Sequence, residues 1–299
     1  MPKEPVKVQT ILLLPGQRIA VMIKLDQKPS DYTLRIAGST AGGVMSGYAV
    51  FRYKGGKPMK NYTLGYTLPS KQTAGWINYG GLNMTANLTV FNGDDLSPPF
   101  PPKPPAMPKI GDPMHYISFE RLGGAYLWSL NGQTLMPVDA SAYQPLLYNN
   151  SYHEEISPDL AIRTNNGTWV DLVFQAGAPP GPIEANHLIH KHTSMFWIIG
   201  ASAGVWNYSS VAEAMIADPG SFNLVNPNYR DSVLTPFYTG WVVVRYFSDN
   251  PGPWLLHCHV ETHLGAGMAM VLLDGVDAWP TIPPEYALNQ NGFPVKGSP

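Results

Sequence analysis

Proline and glycine interrupt this chain so often that long helices have nowhere to form. There are 30 prolines and 29 glycines among its 299 residues. Proline lacks a backbone donor and clashes with the preceding helical turn, and glycine loses extra entropy when fixed in a helix. Between the interruptions the residues alternate in short apolar and polar runs. Ile19, Val21, Ile23 and Leu25 fall on one face of an expected strand over 18–25. Tyr32 to Ala37 and Tyr48 to Tyr53 read the same way, and Val170, Leu172 and Phe174 alternate in another strand. Met195 to Gly200 and Trp241 to Phe247 are nearly continuous apolar runs, as in strands buried on both faces. Tyr126 to Leu130, Asn131-Gly132 and Gln133 to Met136 together read as a hairpin. One short helix is expected over Ser210 to Ile216, where Ser210 and Glu213 form a capping-box pattern. The expected fold class is all-β.

The stretch Ser97 to Pro108 holds seven prolines, which favour extended polyproline backbone and exclude a central strand. It reads as a semi-rigid linker over 98–108 between a first domain, 1–97, and a second, 109–299. Both are expected to be Greek-key β-sandwiches.

Charged residues make up only 13% of the chain, against about 25% in a typical soluble protein. Net charge is −2 and no basic cluster occurs, which argues against a nucleic-acid partner. No apolar run approaches the ~18 residues of a membrane span. The first 30 residues lack the basic, apolar, small-residue order of a secretory signal. Yet Asn-x-Ser/Thr sequons occur at Asn61, Asn83, Asn87, Asn149, Asn166 and Asn207, as in a secreted glycoprotein. The two observations are reconciled if the natural N-terminus lies upstream of Met1.

Cys258 is the single cysteine, so no internal disulfide is possible. Its neighbours decide how it is read. Six of the eight histidines lie in two short clusters, His187-Leu-Ile-His190-Lys-His192 and His257-Cys258-His259-Val-Glu-Thr-His263, with Met268 five residues beyond. Alternate residues of a strand point to opposite faces. His257 and His259 therefore share one face and Cys258 takes the other. His190 and His192 share a face, and His187 falls out of phase with them. One face can collect His190, His192, His257 and His259. The other can collect Cys258 and His187, with His263 and Met268 following on the loop after Cys258. Two imidazoles, a thiolate and a thioether form the trigonal set with a weak axial Met that marks blue copper rather than zinc. Met270 competes for the axial place with a poorer spacing, and reads as core. His115 and His153 match no motif and read as surface or structural residues.

These motifs carry a resemblance. His-x-x-His-x-His before the Phe196-Trp197 strand resembles the third-domain motif of laccases and related multicopper oxidases. His-Cys-His-x₃-His-x₄-Met is similar to that family's C-terminal copper signature. Asn228 to Cys258, with Arg230-Asp231, Gly240-Trp241 and Asn250-Pro-Gly, resembles the segment leading into it, and Leu14-Pro-Gly-Gln-Arg18 looks like a second-domain landmark. The resemblance implies two cupredoxin-like domains, the first incomplete. It implies type 1 copper on His187, Cys258 and His263 with Met268 axial, type 2 copper on His190, and type 3 copper on His192, His257 and His259. It implies a laccase-like oxidase in which a small phenolic or aromatic reductant gives one electron at a time near His263, expected to be exposed. Cys258, bonded through the backbone to His257 and His259, would lead electrons to a cluster that reduces O₂ to water. Ferrous iron and ascorbate are the alternative reductants. The secreted location is likewise implied for the parent enzyme.

The chain departs from the family in one respect. The family's oxygen-reducing cluster takes eight histidines, half of them from two His-x-His motifs in a first domain. This sequence has no His before His115 and no such pair before 187. It supplies four, so a missing N-terminal cupredoxin domain is the expected partner. The competing readings are a type 1 copper electron-transfer module and an inactive fragment. Glu184, Asp231 and Glu261 lie near the motifs and could assist proton removal or bind a cation, although ordinary surface or capping roles account for them as well.

Overall fold

The computed structural model describes residues 7–40, 43–56, 77, 87–92, 105–124, 127–135, 146–148, 156–177, 186–236 and 238–284. Two compact units emerge. One is Leu96–Pro299 with Met1–Lys3 and Leu14–Gln17; the other is Glu4–Leu13 and Arg18–Asp95. Most of the Pro-rich segment, 98–104, lies outside the described residues, as do His153, Glu184 and the sequons at Asn61, Asn83 and Asn149. The sequon asparagines Asn87, Asn166 and Asn207 are exposed.

In the smaller unit, β1 (Thr10–Leu12) pairs in parallel with β4 (Val90–Asn92), and β2 (Asp31–Thr40) pairs antiparallel with β3 (Gly43–Arg52). The strand expected over 18–25 is absent. Alternation specifies a face, but a strand also needs a ladder partner, and none is seen among the described residues. Val21, Ile23 and Leu25 stay exposed, Val21 at 53% and Leu25 at 69%, and Ile19 is half-buried.

The larger unit is a sandwich of two sheets. The six-stranded sheet uses β5 (Met114–Arg121), β6 (Trp128–Leu130), β8 (Thr168–Ala176), β10 (Phe196–Ala203), β11 (Asn228–Arg230) and β13 (Gly240–Ser248). Its order is β11-β10-β13-β8-β5-β6. The five-stranded sheet, in the order β12-β9-β14-β15-β7, uses β7 (Ala161–Arg163), β9 (Leu188–Lys191), β12 (Ser232–Leu234), β14 (Gly252–Cys258) and β15 (Ala269–Asp274).

Strand parity builds three layers from these sheets. Leu172, Phe174, Val242 and Val244 from one sheet meet Ile189, Leu256, Met270 and Leu272 from the other in the central core. The intervening residues Val173, Trp241 and Val243 point outward and are covered by Trp206, Val211 and Ala214. The opposite outer face buries Val271 and Leu273 against Leu146, Val276 and Trp279. Both faces of the six-stranded sheet are thus covered, which explains the nearly continuous apolar runs read at Met195 to Gly200 and Trp241 to Phe247, now in β10 and β13.

Helix α1 (Val211–Ala217) forms at the expected place. The Ser210 side chain accepts from the Glu213 amide, and the Glu213 carboxylate reaches back to the Ser209 amide at 2.8 Å rather than to Ser210. The Asn131-Gly132 turn also forms, with positive φ at both residues (53° and 73°). Among the described residues, which leave out Tyr126 and Met136, the expected second hairpin strand shrinks to one bridge, Leu130↔Gln133, and β6 pairs instead with β5.

Candidate metal centres

Two strands of one sheet carry His190 and His257, and His187, His192 and His259 lie immediately beyond their ends. β9 and β14 run antiparallel, with His190 opposite His257 and Ile189 opposite Cys258. Their register brings the two sequence motifs side by side and lets alternation sort them. The Cys258 side chain enters the central core and is fully buried. Next to it stands His187, just before β9. His263 comes from the short helix α2 (Glu261–Gly265) rather than from a loop.

The three donor atoms form a triangle. Cys258 Sγ lies 3.7 Å from His187 Nδ1 and 3.6 Å from His263 Nδ1, and the two nitrogens are 3.2 Å apart. An ion about 2.0 Å from each nitrogen and about 2.3 Å from sulfur, at trigonal angles, sets separations of roughly 3.5 and 3.7 Å. The side chains present fit such an ion. Met268 is buried beside them in the same core, and its carbonyl accepts from the Cys258 amide at 3.0 Å. Met270, the competing thioether, is also a core residue.

Burial sets the protonation of this group. It pushes the His187 imidazole down to about 3, helped by the neighbouring His263, and lowers His263 as well. It pushes the Cys258 thiol up to about 11. Without metal the group is neutral throughout, and a metal that takes the thiolate must displace one proton.

His263 is not exposed as expected. Only 8% of it is accessible. Helix α2 turns it back beneath Trp128, whose ring centroid lies 4.6 Å from His187 and 5.5 Å from His263. Phe119 packs 5.5 Å from His187. The sequence reading missed both aromatics. The available signal was Trp128 in the run leading into the Asn-Gly turn and Phe119 alternating with Ile117 on β5, patterns that mark core without naming what they pack on.

A second group lies on the other face. His190, His192 and His257 offer nitrogens all within 4.8 Å of one another. His192 Nε2 and His257 Nε2 are 3.2 Å apart. Nδ1 of His190 donates to the Asp231 carbonyl at 2.8 Å, and Nδ1 of His257 to the Cys258 carbonyl at 2.9 Å. Each bond leaves Nε2 as the free lone pair, the arrangement metal-ligating histidines use. Burial lowers the pKa of His192 and His257, favouring the neutral imidazole.

His259 stands at the edge of this group and is not part of its tight triangle. Its ring is 5.7 Å from His190 and 5.4 Å from His257. Its Nδ1 is buried without a hydrogen-bond partner, 3.6 Å from the carboxylate of Glu261, whose side chain is 80% exposed. The ring rests on Gly16, where a Cβ would lie 2.3 Å from His259 Cδ2. Leu14 to Arg18 stood out in the sequence only as a family landmark, with no sign of a contact 243 positions away. Asp231 contributes its backbone carbonyl to the site. His115 stands outside both groups, half-buried on β5, its pKa lowered by burial.

Comparisons with known proteins agree on one family. A multicopper oxidase family model matches residues 129–278, and a second multicopper oxidase model matches residues 1–56. Multicopper oxidase GIP1 from Gibberella zeae is 46% identical over 292 residues, covering 97% of this chain and 41% of that protein. Laccase ustL from Ustilaginoidea virens is 42% identical over 301 residues, covering 96% and 44%. The chain therefore spans less than half the length of these relatives. Among solved structures, a mutant laccase from B. aclada matches with TM-score 0.52 and 22% identity over 77% of this chain and 37% of that one, a likeness of fold.

Proposed function

This chain belongs to the multicopper oxidase family, and from that premise we propose that it is the electron-accepting part of a laccase-like copper oxidase. The observation that carries the reading is the triangle of Cys258 Sγ, His187 Nδ1 and His263 Nδ1. These three would hold the type 1 copper, with Met268 as the weak fourth ligand. His190 would bind type 2 copper, and His192, His257 and His259 the type 3 pair. Copper held in such a set supplies one-electron redox chemistry, tuned by the axial ligand and the surrounding packing.

The protein's own contribution is geometric. Trp128 and Phe119 pack on the imidazoles and keep water from the buried thiolate. The peptide bonds flanking Cys258 join it directly to His257 and His259, so one tripeptide connects the two groups. A small phenolic or aromatic reductant is the proposed electron donor and O₂ the acceptor; ferrous iron and ascorbate are the alternative donors. The second group offers four imidazoles where the family's cluster takes eight, so oxygen reduction requires further ligands from another domain or chain. That count also supports a second reading, in which this chain alone acts as a type 1 copper electron-transfer module. The exposed sequon asparagines Asn166 and Asn207 support a secreted glycoprotein.

The test is anaerobic. A diphenol, ferrous iron and ascorbate are each added to the copper-loaded chain without oxygen. Bleaching of the blue colour by the diphenol at the highest rate supports the laccase-like reading. No bleaching by any donor overturns it. Oxygen consumption that appears only when a cupredoxin domain carrying two His-x-His motifs is added separates the oxidase reading from the electron-transfer module.

A further inference from the structure

Lys191 sits between two histidines of the second group, yet its side chain is fully buried on the opposite side of β9. Its ammonium lies 3.3 Å from Asp274 Oδ2 and 4.3 Å from the centre of the Tyr246 ring. Asp274 is itself held in the core. Its Oδ1 accepts from the Tyr246 hydroxyl at 2.7 Å and from Thr164 Oγ1 at 3.1 Å. This network ties β9 and β15 of one sheet to β13 of the other.

The two remaining bonds of the ammonium go elsewhere. Nζ donates to the His192 carbonyl at 3.3 Å and to Ser194 Oγ at 2.8 Å. Those acceptors flank Thr193, whose φ is +76°. A β-branched residue rarely adopts that left-handed conformation, and it persists only where the surroundings impose it. One buried ammonium therefore grips the chain on both sides of a strained residue. His192 enters this turn directly, and its side chain is otherwise exposed.

We propose that Lys191 is a positioning residue: its buried ammonium holds the strained turn at Thr193 and thereby aims the His192 imidazole at His190 and His257. The proposal rests on the reading that this imidazole group takes copper. Lys191 touches no metal; it acts through the backbone of its neighbour. Outer-sphere residues of this kind typically change metal affinity by about 10- to 100-fold when removed.

The experiment is a Cu(II) titration of the full chain followed by paramagnetic resonance and visible absorption. Lys191→Met is expected to weaken Cu(II) binding at the imidazole group by about 10- to 100-fold while the blue absorption of the Cys258 site persists. Adding Thr193→Gly should recover part of the loss, because glycine adopts the turn without being held. Ser194→Ala removes one arm of the grip without touching the buried ion pair, and should give a several-fold loss in a chain that still folds. Unchanged affinity in both Lys191→Met and Ser194→Ala overturns the proposal, as does equal loss at both sites without rescue. A wild-type chain that binds no Cu(II) at these imidazoles defeats the copper reading instead. The crystal structure of Lys191→Met then decides: His192 Nε2 still 3.2 Å from His257 Nε2 overturns the proposal, and a displaced imidazole supports it.

Discussion

Gly16→Ala should damage the imidazole group far more than it damages the fold. Gly16 has φ +79° and faces the His259 ring, and an added Cβ would stand 2.3 Å from Cδ2, 2.7 Å from Cγ and 2.8 Å from Nε2. Ordinary contact begins at 3.4 Å, so ring and backbone must separate by about 1 Å. A side-chain ring yields more easily than a turn, so His259 moves. Two costs follow. An L-residue in left-handed backbone loses about 1–2 kcal/mol. A misplacement of about 1 Å in a functional side chain costs up to ~100-fold in what it does. Gly204→Ala isolates the first cost, because Gly204 has φ +92° and nothing within 4 Å of a would-be Cβ. Urea unfolding should show similar losses for the two variants. Cu(II) titration under paramagnetic resonance should show weakened binding at the imidazole group only in Gly16→Ala. Equal copper binding by the two variants would refute the claim that Gly16 shapes this group.

The remaining predictions concern the core and its ionisation. Asp274→Leu strands the Lys191 ammonium and should cost about 3–5 kcal/mol, read as a drop in Tm; Lys191→Met with Asp274→Leu should cost less than the sum of the singles, and strict additivity would count against a coupled pair. The metal-free chain should lose stability in mild acid. His187 is held near 3 in the fold against 6.5 when unfolded, so its contribution is complete above pH 6.5 and is lost as pH falls toward 3. The shift corresponds to as much as ~5 kcal/mol; a wild-type minus His187→Leu stability difference that does not change between pH 7 and 4 would contradict it.

Some of this was readable from the sequence because strand alternation is strict. Parity alone separates Cys258 from His257, and in the structure the thiol enters the inter-sheet core while the His257 ring lies beside His190. The apolar runs of β10 and β13 marked strands covered on both faces. Where the reading failed, the missing information was long-range. Alternation over 18–25 described a face but supplied no partner strand. The Asn-Gly turn fixed the backbone at 131–132, yet the ladder of β6 went to β5. His263 was taken as exposed because the spacing after Cys258 does not reveal that α2 folds it under Trp128. Lysine is usually solvated, so Lys191 drew no attention. A lysine beside a histidine in β9 and the buried Asp274 far along the chain become a pair only once β9, β14 and β15 are assembled.

The account's central claim is that Cys258, His187 and His263 form one copper site, and visible absorption of the copper-loaded chain tests it most directly. The account predicts an intense blue thiolate-to-copper band that disappears in Cys258→Ser and is lost or shifted in His187→Leu. Copper bound with no blue band, or a band that survives Cys258→Ser, would contradict it.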